Sequence, residues 1–275
     1  MSARVGTILI VGGTAGIGEQ LAHRFHSLGK KVIVTGRNQD KLTAMAQELG
    51  GLEVRGFDIA ELSTLKANVT GLLNDFPDID TVILNAGIQK SFNLYDPSSI
   101  TPGEIAREIE TNLTAPVLLA HMFAPHLLAR ATKGTKTTLF ITSSSLAYVP
   151  LGFYPSYSAS KAGVHALALT LRQQLAFAPE EAKKNMQIVE IVPPYTDTGL
   201  DKEHRAATIA AQGGPEKAFP AMPLKDFVDQ FFVALEATEP DGSIKNEIGV
   251  GFGQTGINTW RSSFGKIYEQ WGMST

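Results

Sequence analysis

Thr7-Ile8-Leu9-Ile10-Val11-Gly12-Gly13-Thr14-Ala15-Gly16-Ile17-Gly18-Glu19-Gln20-Leu21-Ala22 joins an unbroken β-rich apolar run to a glycine cluster and then to the first turn of a helical pattern. An unbroken run, in place of strict alternation, indicates a strand covered by helices on both faces. A glycine-rich turn between such a strand and a helix lets the backbone approach a pyrophosphate, whose charge the helix N-terminus favours. The spacing is G-x-x-x-G-x-G and not the G-x-G-x-x-G of the standard dinucleotide fingerprint. In isolation a tight βα turn is the better explanation, and the position after the first strand of an α/β pattern reverses that judgement.

Further apolar runs follow at Lys31 to Thr35, Leu52 to Gly56, Thr81 to Leu84, Thr137 to Thr142, Gln187 to Val192 and, more weakly, Glu247 to Gly251. Helix-periodic stretches lie between them, at about Gly16 to Leu28, Asp40 to Leu49, Leu62 to Phe76, Pro102 to Ala131 with an interruption, and Tyr157 to Phe177. This order is that of right-handed βαβ crossovers. It predicts an α/β fold: one domain over residues 1–275, with a doubly wound (Rossmann) seven-stranded parallel sheet. The polar stretch from Thr196 to Met222, with Gly213 and Gly214, has only a short helical pattern and is expected to be a substrate lid.

Composition narrows the partners. With 24 Lys+Arg against 27 Asp+Glu, the chain has no basic footprint for nucleic acid and no polybasic stretch for anionic lipid. Zero cysteines exclude a disulfide framework and thiolate chemistry. His23 with His26, and His121 with His126, lack a carboxylate or cysteine cluster at ligand spacing, so no metal site is expected. Met1 to the run at Thr7 leaves no room for a signal peptide, and no apolar run approaches the roughly 20 residues of a membrane span. The expected location is the cytoplasm.

From the glycine loop onward the sequence resembles the classical short-chain dehydrogenases/reductases. Asp58, Asn85-Ala86-Gly87, Asn112, Ser143-Ser144, Tyr157-Ser158-Ala159-Ser160-Lys161 and Pro193 to Thr198 follow in order. Val11, Pro194 and Thr196 depart from the family pattern, where Thr, Gly and an aliphatic residue are usual. The resemblance implies NAD(P) bound at the carboxyl ends of the strands by Gly12, Thr14, Gly16, Ile17, Gly18, Ala86, Gly87, Pro193, Thr196 and Thr198. It also implies Asp58 at the adenine amino group, Ile59 against the ring, and Asn85 tying strands together beneath the cofactor.

The choice of dinucleotide can be argued physically. An NAD site places a carboxylate about 20 residues past the loop, on the adenosine ribose. Here the second strand ends Val34-Thr35-Gly36-Arg37-Asn38, with no acid to repel a 2'-phosphate and with a guanidinium able to pair with it. NADP(H) is expected, with Thr14 and Asn38 adding hydrogen bonds.

Tyr157 and Lys161 are four apart at the start of a helical pattern and share one face. An ammonium beside a phenol favours the phenolate and is expected to lower the tyrosine pKa toward working pH. Ser144, thirteen residues before Tyr157, resembles the serine that bonds the substrate oxygen, although Ser143 and Ser145 are its neighbours. Asn112 sits in a helical pattern that disfavours it, and the resemblance implies a kink and a proton relay from Lys161. The catalytic set is therefore Asn112, Ser144, Tyr157 and Lys161, acting in an NADPH-dependent carbonyl reductase or alcohol dehydrogenase on a small-molecule substrate.

Two alternatives stand beside this reading. One is a non-catalytic NADP(H) sensor or scaffold, which loss of Tyr or Lys would favour. The other is an enoyl reductase, which the short Tyr to Lys interval opposes. Phe153, Tyr154, Tyr195 and Phe219 lean toward an apolar or aromatic substrate. Trp260, Phe264, Tyr268 and Trp271 form a stripe expected to pack in the core. The apolar positions Ala162, His165, Ala166, Leu169, Leu171 and Leu175 point to a homodimer or homotetramer, unless the C-terminal aromatics cover them.

Overall fold

The computed structural model describes residues 5–273 and 275. Its strands are β1 (Thr7–Val11), β2 (Lys31–Gly36), β3 (Glu53–Gly56), β4 (Thr81–Leu84), β5 (Thr137–Thr142), β6 (Met186–Val192) and β7 (Glu247–Gly249). They form one parallel sheet in the order β3-β2-β1-β4-β5-β6-β7. The order reverses between β1 and β4, and their carboxyl ends open the crevice where doubly wound sheets bind ligands.

The two core layers explain why the strands read as continuous apolar runs. Ile8 and Ile10 of β1 enter one layer, while Leu9 and Val11 enter the other. The first layer lies under α1 (Gly16–Ser27), α2 (Gln39–Glu48) and a later helix over Leu224–Glu236. The second lies under α3 (Leu65–Asp75), α5 (Ala115–Thr132) and α6 (Pro155–Leu175).

The long helical pattern after residue 101 is interrupted, as expected. α4 (Pro102–Ile109) begins at a capping box of Thr101 and Glu104, and a π-helical turn at Glu110–Thr114 separates it from α5. After the short α7 (Glu180–Asn185) and α8 (Arg205–Ala211), α9 (Leu224–Glu236) is a helix that the sequence reading does not assign. Its Phe227, Val228, Phe231, Phe232 and Leu235 recur at helical spacing and bury against α1, where Phe232 meets Phe25 edge-on at 4.9 Å.

α10 (Phe252–Trp260), a π-helical turn and α11 (Lys266–Gln270) carry the aromatic stripe, and here the core expectation fails. Phe264 and Trp271 are 62% and 64% exposed, because Trp260, Tyr268 and Trp271 stack chiefly on one another along the surface. Trp260 meets His165 of α6 edge-on at 5.1 Å, and Ala159, Ala162, Ala166 and Thr170 of α6 remain exposed. Among the described residues no helix is long and apolar enough to cross a membrane, and no group of His, Cys, Asp and Glu could hold a metal ion.

Candidate active site

A cleft of about 1400 Å3 runs along the carboxyl ends of the strands. The glycine loop forms one end because larger residues do not fit there. Gly12 has φ +83°, and a Cβ on it would stand 2.5 Å from Cα of Ala86. A Cβ on Gly18 would stand 2.2 Å from the Gly12 carbonyl oxygen, so Gly18 packs helix against loop and does not face the cleft. The N-cap of α1, Ala15, has no side chain to cap the first amides, which leaves the positive end of a 12-residue helix at the cleft. This cradle fits a pyrophosphate. Asn85 ties the floor together, donating to the Gly12 carbonyl at 3.1 Å and accepting from the Thr142 hydroxyl at 3.3 Å.

At the adjoining end, Thr14 covers Gly36, and the half-exposed Arg37 lies 3.8 Å from Asp58. Asp58 is held more closely by Arg107, at 2.6 Å, and accepts from the Ala60 amide. Lys41, which the sequence reading passed over, donates to the Thr14 carbonyl at 3.3 Å. Asn38 does not line the cleft: its side-chain oxygen caps α2 by accepting from the Lys41 amide. Gly16, Ile17, Ile59, Ala86, Gly87, Pro193, Thr196 and Thr198 all face the cleft.

Tyr157 and Lys161 project from the first turns of α6, and Ser144 follows β5. Of the three consecutive serines Ser144 is the one whose side chain acts on the Tyr157 hydroxyl, favouring its ionised form against burial; Ser143 turns toward the core, and the Ser145 amide donates to the Pro193 carbonyl. The Lys161 ammonium lies 5.7 Å from the centre of the Tyr157 ring and donates to the Thr142 carbonyl at 2.9 Å. Asn112 occupies the π-helical turn, fully buried behind the cleft wall; it accepts from the Ile88 amide at 2.9 Å and donates to the Ile88 carbonyl at 2.8 Å. It therefore holds the loop after β4 and lies beneath the cleft lining, 3.3 Å from where a Cβ on Gly87 would stand.

The expected lowering of the tyrosine pKa is not found. Burial pushes Tyr157 up to about 12, and burial pushes Lys161 down to about 8. Desolvation disfavours both charged forms and outweighs their proximity. A sign follows for stability. Between pH 8 and 10.5 the unfolded chain holds the Lys161 proton that the folded chain has released. Urea denaturation without added nucleotide should therefore show stability rising with pH over that window, a rise that Lys161→Met removes.

Two buried carboxylates at the site were not singled out in the sequence. Glu108 of α4 accepts from the Lys90 amide at 2.8 Å and from the Ser156 hydroxyl, and burial pushes its pKa up. Glu190 of β6 accepts from the Ser143 hydroxyl on one oxygen and from His165 Nδ1 (2.8 Å) and the Tyr148 hydroxyl (3.2 Å) on the other. Burial would raise its pKa, but the bonds from His165 and Ser143 hold it below the usual carboxylate range. One side chain thus joins the serine loop to α6.

The stretch from Thr196 to Met222 arches over the cleft. Its ends pair, with the Asp197 amide donating to Met222 and the Met222 amide to Tyr195. Arg205 bridges Asp197 and Asp201 at 2.7 Å each, Lys90 reaches Glu203 at 3.1 Å, and Thr198 packs where a Cβ on Gly16 would stand.

Comparison with known proteins agrees with this architecture. A family described as short chain dehydrogenase matches residues 6–208. Over 201 residues, 72% of this chain and 75% of the relative, the sequence is 36% identical to "Uncharacterized oxidoreductase DltE" of Bacillus subtilis (strain 168). Over 214 residues, 78% of each, it is 31% identical to serine 3-dehydrogenase of Rhizobium radiobacter. Among solved structures, a metagenomic short-chain oxidoreductase in complex with NADP superposes with a TM-score of 0.68 at 26% identity, covering 89% of this chain and 96% of that one. A 3-ketoacyl-(acyl-carrier-protein) reductase from Brucella melitensis shares the fold, with a TM-score of 0.73 at 23% identity over 91% of this chain and 98% of that one.

Proposed function

The chain belongs to the short-chain dehydrogenase/reductase family of oxidoreductases, and from that premise we propose that it is an NADP(H)-dependent enzyme interconverting a carbonyl and a secondary alcohol. The observation that carries the reading is the meeting of Ser144, Tyr157 and Lys161 in the cleft that the glycine loop opens. When bound, the nicotinamide supplies or accepts the hydride. Gly12, Gly16 and Ile17 would hold the dinucleotide's pyrophosphate at the α1 N-terminus, and Lys161 would bond its nicotinamide ribose. Ser144 donates a hydrogen bond to the substrate oxygen and fixes it beside Tyr157. Tyr157, neutral at working pH, gives its proton to that oxygen in reduction and takes it back in oxidation. Asn112 holds the Ile88 backbone and keeps the wall beside Lys161 in place. The stretch over Thr196–Met222 closes as a lid. A non-catalytic sensor would not need these three side chains together at one cleft.

NADP(H) is favoured over NAD(H) because Arg107 holds Asp58 at 2.6 Å against 3.8 Å for Arg37, so the exposed Arg37 guanidinium is only loosely paired and can turn to a 2'-phosphate, with Lys41 beside Thr14. NADPH should bind at least tenfold more tightly than NADH, a difference of about 1.4 kcal/mol. Arg37→Asp should invert the preference, and calorimetry showing equal affinities in the parent protein would reject the assignment. Screening NADPH and NADH oxidation with ketones, quinones and aldehydes tests the reaction itself.

The exposed small residues of α6, with Val117, His121 and Pro125 exposed on α5, support a homodimer or homotetramer. Light scattering should find a multiple of 29.5 kDa at micromolar concentration; a 29.5 kDa species alone would reject it.

A further inference from the structure

The cleft that holds Ser144 and Tyr157 is also a substrate chamber in this reading, and its apolar walls and its charges differ sharply in what they offer a ligand. Leu146 and Leu151 line its side. Val149, Tyr195, Phe219 and Phe252 are 43%, 38%, 59% and 52% exposed, yet all four line this same cleft. Large apolar side chains left in water at one cleft mark a surface that a ligand covers.

Two cations that line the cleft, Lys90 and Arg205, are already matched by carboxylates. Lys90 lies 3.1 Å from Glu203 and 3.6 Å from Glu104. Arg205 contacts Asp201 and Asp197 at 2.7 Å each, and the buried Asp201 also accepts from the Tyr195 hydroxyl at 2.6 Å. Lys202 is exposed at the rim, beside Glu203. Lys161 spends its ammonium on the Thr142 carbonyl, with the Glu108 carboxyl nearby. Four carboxylates therefore pair with Lys90 and Arg205, and an anion that approaches either cation must displace one of them. A desolvated charge without a partner is strongly disfavoured.

We propose that this chamber selects an uncharged apolar or aromatic carbonyl compound and discriminates against carboxylates and other anions, an inference that rests on the carbonyl-reductase reading for the identity of the reacting group. A matched pair isolates the charge: methyl 4-acetylbenzoate and 4-acetylbenzoate carry the same ketone. Calorimetric titration of each into the full chain, with and without saturating NADP+, should show the ester binding at least tenfold more tightly. Its kcat/KM with NADPH should exceed that of the acid by a similar factor. Glu203→Gln removes the closer of the two carboxylates on Lys90 and should narrow the binding gap at least threefold by tightening the acid. Equal or tighter binding of the acid, binding of neither compound, or a gap unchanged in Glu203→Gln would overturn the proposal. If the ester binds selectively while no carbonyl compound oxidises NADPH, the chamber's selectivity stands and the reductase reading falls.

Discussion

Tyr157→Phe should retain nucleotide binding and lose turnover by at least the ~100-fold typical of a general acid. The substitution removes one oxygen from a side chain only 7% exposed and leaves its ring in place near Lys161. The loss is confined to the proton and to the bond with Ser144. Burial that holds the phenol neutral, at about 12, suits it to donate to an oxygen whose basicity rises as reduction proceeds. Single-turnover kinetics on a ketone accepted by the parent protein provides the check, and a variant within threefold of the parent rate would remove Tyr157 from the chemistry. Lys161→Ala should weaken both nucleotide affinity and rate.

Glu190→Ala should cost about 3–5 kcal/mol of stability, the range for breaking a buried charged network. It removes the acceptor shared by the Ser143 hydroxyl, the Tyr148 hydroxyl and His165 Nδ1 in a site where Glu190 is 0% exposed, leaving Tyr148 and His165 only each other at 3.1 Å. Glu190→Gln keeps an acceptor for two of the three and should lose less. Urea denaturation followed by tryptophan fluorescence measures both. An alanine variant less than ~1 kcal/mol below the parent would show that the carboxylate contributes nothing net.

Strands β1, β4 and β5 match the sequence reading residue for residue, since buried central strands present apolar side chains to both layers and turn residues bound them. The Tyr157 and Lys161 pair was equally legible, because one helical turn relates the two residues and nothing distant is required. Glu190 was not: within Met-Gln-Ile-Val-Glu-Ile-Val it reads as a lapse in an apolar strand, and its partner Ser143 lies 47 positions away. The direction of the Tyr157 shift escaped for a related reason. The neighbouring lysine is a local fact, whereas the burial that outweighs it is a property of the assembled fold. Phe264 and Trp271 show the converse error, in which helical spacing was legible but not which way the stripe would face.

The pairing of Tyr195 and Asp197 with Met222 has a consequence for how this scaffold can be altered. A segment whose two ends are already hydrogen-bonded to each other leaves the sheet and returns at nearly one point, so its length is not fixed by the strands beneath. The entropy of closing such an excursion grows only as the logarithm of its length, about 0.6 kcal/mol per doubling. Exchanging residues 198–220 for a longer or shorter stretch should therefore disturb global stability little while replacing the whole roof of the chamber. The chain is in this respect a socket, with a fixed reaction floor and an interchangeable cover.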